Sequence, residues 1–279
     1  MSASLRDRGD YLLKCIGYRV RRTISDGLFS KVKEAVSVTY KCKVAIKEYD
    51  TKRIDPEFVT KFLPRETSIL RSLHHPNIVH IFELIKTNNS LQYIIMEMCE
   101  TDLLTVVQQE ERIKPPNDKR LFREIASAVH YLHEHHLVHR DLKCENVLLT
   151  KNGRAKITDF SFAKTSLGPT DLSATYCGSL AYSPPEVIMC LPYDAKKFDI
   201  WSLGVLLFVM VTGVFPFDPS NVALLVEMQK RGVVFPASVP IDNACKTLIQ
   251  QMLDYNPASR PDTSTVLNSR WLCDMEQKS

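Results

Sequence analysis

Glycine is scarce in this chain, 9 of 279 residues. No low-complexity tract, internal repeat or sustained heptad pattern runs through it, which excludes solenoid, fibrous and coiled-coil architectures. The cysteines, 8 in all, are scattered at Cys15, Cys42, Cys99, Cys144, Cys177, Cys190, Cys245 and Cys273. None form a C-x-x-C pair, which argues against a zinc site, so free thiols in a reducing intracellular compartment are expected. Charge of one sign is lacking too: 36 Lys+Arg against 32 Asp+Glu leave a formal net charge of +4. That weak excess gives no reason to expect a nucleic-acid or membrane partner. The cluster Arg19, Arg21, Arg22 reads as a solvated strand edge rather than a face for an acidic partner. Long apolar runs are missing. The longest, Val205 to Val211, falls far short of the roughly 20 residues that span a bilayer, and reads as a buried helix. Met1 to Asp10 is polar with charges of both signs, so no signal peptide is expected. The stop soon after Trp271 leads to the expectation that no regulatory domain is appended.

What is present suits a globular protein of one large domain or two lobes: 44% hydrophobic and 24% charged residues. Residues 11–50 alternate and carry β-branched side chains, which predicts three strands around Tyr18-Arg19-Val20, Lys31 to Val36 and Lys43 to Lys47. The period then lengthens. Phe58, Phe62, Ile69, Leu70 and Leu73 fall at helical spacing, with Pro64 expected to separate two helices. Ile78 to Leu84 and Leu91 to Met98 predict two more strands joined by the loop Thr87-Asn88-Asn89-Ser90. Together these imply a five-stranded sheet with one long helix. Beyond Glu100 the pattern is mainly helical, clearest at Leu103 to Gln109, Asp118 to His135 and Phe198 to Val211. Short strands are expected at Val147-Leu148-Leu149 and Ala155-Lys156-Ile157. Pro236, Pro240, Pro257 and Pro261 punctuate the later helices.

The most informative stretch is His139-Arg140-Asp141-Leu142-Lys143-Cys144-Glu145-Asn146. It gathers a carboxylate, a cation and a metal-capable amide within a few positions. Asp159-Phe160-Ser161 and Pro184-Pro185-Glu186 follow, and Val44-Ala45-Ile46-Lys47 lies upstream, where the apolar triplet would bury the strand and aim Lys47 inward. Each segment alone is weak evidence, since Asp and Asn favour turns and a lone lysine is usually solvated. In this order they resemble the protein-kinase set H-R-D-L-x-x-x-N, D-F-G, A-P-E and V-A-I-K, and the resemblance covers nearly the whole chain.

The resemblance implies an α+β, bilobal eukaryotic protein-kinase fold: a small antiparallel β-sheet lobe with one main helix, and a larger, mainly helical lobe. It implies a kinase domain over 11–272, with small lobe 11–97, hinge 98–102, large lobe 103–272 and short tails at 1–10 and 273–279. It assigns Asp141 as catalytic base and Lys143 as the cation that neutralises the transferring phosphoryl group. A lysine two residues after the aspartate resembles serine/threonine rather than tyrosine kinases. Asn146 and Asp159 would bind Mg²⁺ through hard oxygen ligands, with ATP as co-substrate. Lys47 would hold the α/β-phosphates and Glu66 would fix Lys47. ATP binding further implies Ile24, Ser25, Asp26, Gly27, Leu28, Phe29, Ser30, Lys31 and Val32 in the phosphate loop. Val32, Ala45 and Leu148 would sandwich adenine, Met96 would be the gatekeeper, and the hinge backbone at Glu97 and Cys99 would bind the base. His139 and Phe160 would join a buried stack with Leu70 and Ile81. The segment Asp199 to Gly204 and the pair Glu186 and Arg260 resemble architectural elements. Thr175 matches the activating phosphosite, with Arg140 and Lys164 to receive the phosphate. Glu145, with Asp102 assisting, resembles the carboxylates that favour a basic residue upstream of the target hydroxyl.

Three departures stand out. The phosphate loop keeps only the middle glycine of G-x-G-x-x-G, at Gly27, which suggests weaker ATP binding. Ser161 replaces the glycine of D-F-G; a Cβ there narrows the backbone without removing the metal ligand. Pro184 replaces the alanine of A-P-E. Lys61-Phe62-Leu63-Pro64-Arg65-Glu66, Cys144, Ser161 and Tyr176-Cys177-Gly178-Ser179 most resemble the testis-specific serine/threonine kinases of the calcium/calmodulin-dependent group. That implies protein serine/threonine substrates, a role in male germ-cell differentiation, cytoplasmic and nuclear location, heat-shock chaperones as partners, and a monomer. No calmodulin-target helix is expected after Trp271. The alternative is a pseudokinase scaffold with weak ATP binding, motivated by the eroded loop and Ser161.

Overall fold

Alternating side chains in the first part of the chain build a five-stranded antiparallel sheet: β1 (Tyr18–Asp26), β2 (Lys31–Ser37), β3 (Lys43–Asp50), β4 (Ile81–Lys86) and β5 (Leu91–Glu97), in the order β1-β2-β3-β5-β4. The computed structural model describes residues 5–27, 30–88, 90–168, 170–175 and 177–273. Leu28, Phe29, Asn89 and Tyr176, which figure in the expectations above, lie outside the described residues. Residues up to 74 together with 79–99 form one compact unit, and 75–78 together with 100 onward form the other.

In the first unit, β3 presents Ala45, Lys47 and Tyr49 to one face of the sheet and Val44 and Ile46 to the other. The second face is covered by a helix that sequence reading does not assign, α1 (Leu5–Cys15). Its Leu13 is fully buried with Tyr18, Ala35, Val44, Ile46, Tyr93 and Ile95. Lys33, almost wholly buried, binds Asp10 of this helix at 2.8 Å and Glu48 at 2.9 Å. A buried ammonium needs such partners, so α1 completes the charge balance of the sheet. The helix expected on the other face forms as a π-helical turn, Phe58–Phe62, running directly into α2 (Leu63–Ser72). Pro64 lies in the first turn of α2, directly after the π-helical turn that the Leu63 N–H closes on the Phe58 carbonyl, so it joins the two segments instead of separating them. At the sheet edge, Arg19 and Arg21 are exposed and Arg22 pairs with Glu34 at 2.9 Å, as expected of a solvated strand.

The second unit is mainly helical: α3 (Leu103–Glu110), α4 (Asn117–Glu134), α5 (Pro185–Ile188), α6 (Ala195–Thr212), α7 (Val222–Arg231), α8 (Asn243–Met252), α9 (Thr263–Leu267) and α10 (Arg270–Cys273). Asp102, Asp194, Asn221, Asp242 and Asp262 accept backbone N–H groups at helix starts, the role short polar side chains favour. α6 is buried on nearly all sides, which is why its apolar run shows no stripe. It ends at Gly213 with φ +78°, where a Cβ would stand 1.9 Å from the Glu111 carbonyl oxygen; no other residue fits. Two small antiparallel sheets complete the unit. One orders β6 (Thr101–Asp102), β8 (Val147–Leu149) and β9 (Ala155–Ile157), and the other pairs β7 (Leu137–Val138) with β10 (Lys164–Thr165).

One ion pair anchors this unit. Arg260, its side chain wholly buried, donates to both Glu186 oxygens at 2.6 and 2.8 Å and lies over the Trp201 ring at 4.8 Å. Removing one partner leaves the other buried and uncompensated. Glu186→Ala is therefore expected to destabilise folding by about 3–5 kcal/mol. In urea unfolding this reads as a lower midpoint at unchanged slope; an unchanged midpoint would show the pair to be dispensable.

Candidate active site

The first unit contributes a buried cation held from one side. Lys47, on β3 opposite Val32 of β2, reaches Glu66 of α2 at 3.1 Å. Glu66 is buried and also accepts from the Tyr49 hydroxyl at 2.7 Å, while the Lys47 ammonium lies 5.3 Å from the Tyr49 ring centre. Sequence reading misses Tyr49. The signal lies in its place two residues after Lys47, on the same face of the strand. Ala45 and Met96 are paired and buried, and Val32 is half-buried. Glu97 binds back to His80 through its own N–H and through its carboxylate.

The two strands that flank the phosphate loop pair up to its described ends. Ser25 pairs with Val32 and Asp26 with Lys31, whose side chains meet at 2.5 Å, and Gly27 donates its N–H to the Ser30 carbonyl. Ile24 is exposed. Gly27 is outside the left-handed region, and among the described residues a Cβ there would meet the Ser30 oxygen at 3.4 Å.

In the second unit the segment after β7 is fixed by one carboxylate. Asp199 of α6, fully buried, accepts the backbone N–H groups of His139 at 2.9 Å and Arg140 at 2.8 Å, and meets the His133 ring at 3.0 Å. It thereby holds Arg140 at φ +64°, a conformation that costs a non-glycine residue energy. The His139 Nδ1 accepts the Asp141 N–H, so its Nε2 donates to the Thr158 carbonyl. The same ring packs edge-on against Phe160 at 5.0 Å.

Asp141 is the centre of this site. Its carboxylate, mostly buried, meets Lys143 Nζ at 3.3 Å, Asn146 Nδ2 at 3.0 Å and Ser179 Oγ at 3.2 Å. Lys143 also donates to Ser179 at 3.0 Å. Ser179 is the second residue that sequence reading does not place beside the base; it lies 38 positions from its partner, beyond any local pattern. Asn146 uses its amide nitrogen on the carbonyl and the carboxylate of Asp141, which leaves the amide oxygen as that side chain's hard acceptor. Asp159, at φ +62°, accepts the Ser161 hydroxyl at 2.6 Å. An amide oxygen and a carboxylate form a donor set that fits Mg²⁺, which takes few protein ligands and completes its shell with phosphate and water. Among the described residues no group of three or more His, Cys, Asp or Glu side chains forms a protein-only metal site.

This Lys–Glu pair, base cluster and oxygen pair in one chain are what phosphoryl transfer requires: positioning, charge neutralisation and a residue for the nucleophile. Residues 18–272 match the protein kinase domain. The chain belongs to the protein kinase family. The kinase is 40% identical over 267 residues to testis-specific serine/threonine-protein kinase 1 of Mus musculus, covering 94% of this chain and 73% of that one. It is also 40% identical over 265 residues to testis-specific serine/threonine-protein kinase 3 of Mus musculus, covering 94% and 98%. Serine/threonine-protein kinase kin-29 of Caenorhabditis elegans is 40% identical over 275 residues, covering 98% of this chain and 32% of that one. The kinase is thus a serine/threonine protein kinase of a family that uses ATP with a divalent metal, and the scaffold alternative is not favoured. No helix among the described residues is long and apolar enough to cross a membrane.

Four more of the expected residues, Leu148, Arg140, Lys164 and Thr175, belong to the second unit. Leu148 of β8 is half-buried and pairs with Asp102 and Lys156. Arg140, 1% exposed, donates Nε to the Phe162 carbonyl, while its two terminal nitrogens have no hydrogen-bond partner among the described residues. Lys164 is engaged by Ser173 at 3.1 Å and Asp171 at 3.6 Å. The Thr175 carbonyl accepts the Tyr193 hydroxyl at 2.7 Å. Burial pushes that phenol up to about 12, reinforced by Cys177 and partly offset by the Arg140 guanidinium.

Proposed function

We propose that the kinase transfers the γ-phosphoryl group of Mg-ATP to serine and threonine hydroxyls of proteins, with Asp141 as the base. The observation that carries this reading is the Asp141 cluster, in which Lys143, Asn146 and Ser179 converge on one mostly buried carboxylate. Asp141 orients the substrate hydroxyl and takes its proton as the new P–O bond forms and the bond to ADP breaks. Lys143 neutralises charge on the moving group. Lys47, held by Glu66, positions the nucleotide phosphates. Asn146 and Asp159 hold Mg²⁺, which when bound neutralises phosphate charge. The test is transfer of label from γ-labelled ATP to a generic protein substrate, followed by phosphoamino-acid analysis. Label on serine and threonine supports the reading; label on neither, from folded kinase with Mg²⁺ present, sinks it.

Substrate choice follows from charge. Glu145 is exposed, and one of its oxygens accepts the Tyr182 hydroxyl at 3.3 Å. Asp102 is already committed, accepting the N–H and the hydroxyl of Thr105. Glu145 is therefore the carboxylate for a basic residue upstream of the target. An exposed pair contributes about 0.2–1 kcal/mol, so the preference should be modest. In a peptide array, replacing the upstream arginine should lower kcat/KM by roughly two- to fivefold for wild type and have no effect for Glu145→Gln. Equal losses in both would remove Glu145. The testis-specific names of two of the relatives above support a role in male germ cells; that this role is in differentiation, exercised in cytoplasm and nucleus, is part of the same proposal. Equal abundance in somatic tissue would count against it.

A further inference from the structure

Ser161 stands where D-F-G has glycine, and nothing in the backbone asks for glycine there. Of the residues with positive φ, Asp159 is one and Ser161 is not. The side chain therefore enters without strain, and it enters pointing at a functional group. Its hydroxyl donates to Asp159 Oδ1 at 2.6 Å, a length typical of a charge-assisted O–H···O⁻ bond, and its N–H approaches the same oxygen at 3.4 Å. The turn that carries it is anchored. Phe160 is buried against the His139 ring, and Ala163 donates its N–H to the Phe160 carbonyl.

We infer that Ser161 is a positioning residue for Asp159, its hydroxyl fixing the carboxylate that ligates the divalent cation. This rests on the reading of Asp159 as a metal ligand given above. A carboxylate offers about four lone-pair directions, so the two Ser161 hydrogen bonds at Oδ1 do not by themselves bar a cation. The hydroxyl's bond has two opposing effects. It draws electron density from Oδ1, which weakens ligation, and it removes side-chain rotation that binding would otherwise have to freeze. Partners behind metal ligands, when removed, typically cost 10–100-fold in metal affinity, so orientation outweighs basicity.

The test is a Mn²⁺ titration of the full chain with excess ADP, following free Mn²⁺ by electron paramagnetic resonance. Melting of each variant without metal checks folding. Ser161→Ala should weaken Mn²⁺ about tenfold, the lower end of the range for such partners, and Ser161→Thr, which keeps the hydroxyl, should restore it. Ser161→Gly removes the hydroxyl and frees the backbone, so it should bind no better than Ser161→Ala. Should Ser161→Ala fail to fold, Ser161→Gly carries the test alone. Wild-type affinity in Ser161→Ala or Ser161→Gly, with Mn²⁺ binding lost in Asp159→Asn, overturns the role of Ser161 alone. Wild-type affinity in Asp159→Asn overturns the metal-ligand reading itself.

Discussion

Asp141→Ala is expected to lower kcat by about 10²–10⁴-fold, the usual contribution of a positioned general base, with the fold intact. The carboxylate is where the nucleophile's proton would go, and no neighbour replaces it. Lys143 and Asn146 approach Asp141 as donors, and Ser179 donates to it as well. The loop itself does not depend on that side chain. The Asp141 N–H is held by His139, its carbonyl by Asn146, and the adjoining N–H groups of His139 and Arg140 by Asp199. Melting should therefore shift by no more than about 4 °C, roughly 1 kcal/mol for a chain of this size. Asp141→Asn keeps the shape and removes the proton acceptor, so it should be about as inactive. Turnover above a tenth of wild type in either variant would take the base role away from Asp141.

Phosphorylation of Thr175 is expected to raise activity by roughly 10- to 100-fold, and Thr175→Ala to lose that gain. Arg140 supplies the reason. It is a buried cation whose terminal nitrogens have no hydrogen-bond partner among the described residues, and such a charge is unfavourable until paired. It acts on the same Tyr193 hydroxyl that holds the Thr175 carbonyl. A phosphate brings about −1.5 to −2 charge and three acceptor oxygens. Each hydrogen bond to a charged group contributes about 1.5–3 kcal/mol, and each 1.36 kcal/mol is a factor of ten. Lys164 should add less, because it must first leave Ser173 and Asp171. Phosphatase treatment of wild type should lower both activity and melting temperature. Arg140→Lys, which cannot present a planar fork, should cost activity in wild type but little more in Thr175→Ala. Full activity in unphosphorylated Thr175→Ala removes the switch; strictly additive losses remove Arg140 as its partner.

Local order determined a good deal of this protein. Alternation at Lys31 to Val36, Lys43 to Lys47 and Ala155-Lys156-Ile157, and the apolar triplet at Val147, became β2, β3, β9 and β8, because a strand shows its two faces within a few residues. Asp141, Lys143 and Asn146 are legible for the same reason: they meet within one short loop. Tertiary structure decided what lies far apart in sequence. α1 buries Leu13 against the sheet with Leu12 beside it, and its partner Lys33 is 23 positions from Asp10, so a largely polar opening becomes the cover of a sheet. The contacts of Ser179 with Asp141, and the lack of a hydrogen-bond partner among the described residues for the Arg140 terminal nitrogens, lie equally beyond a local window. Apolar periodicity records which side of an element is buried, whereas the energy of a polar group depends on which other polar groups lose water with it. That depends on where distant segments meet, so the chemistry of the site was named by the motif and its electrostatics were set by the fold.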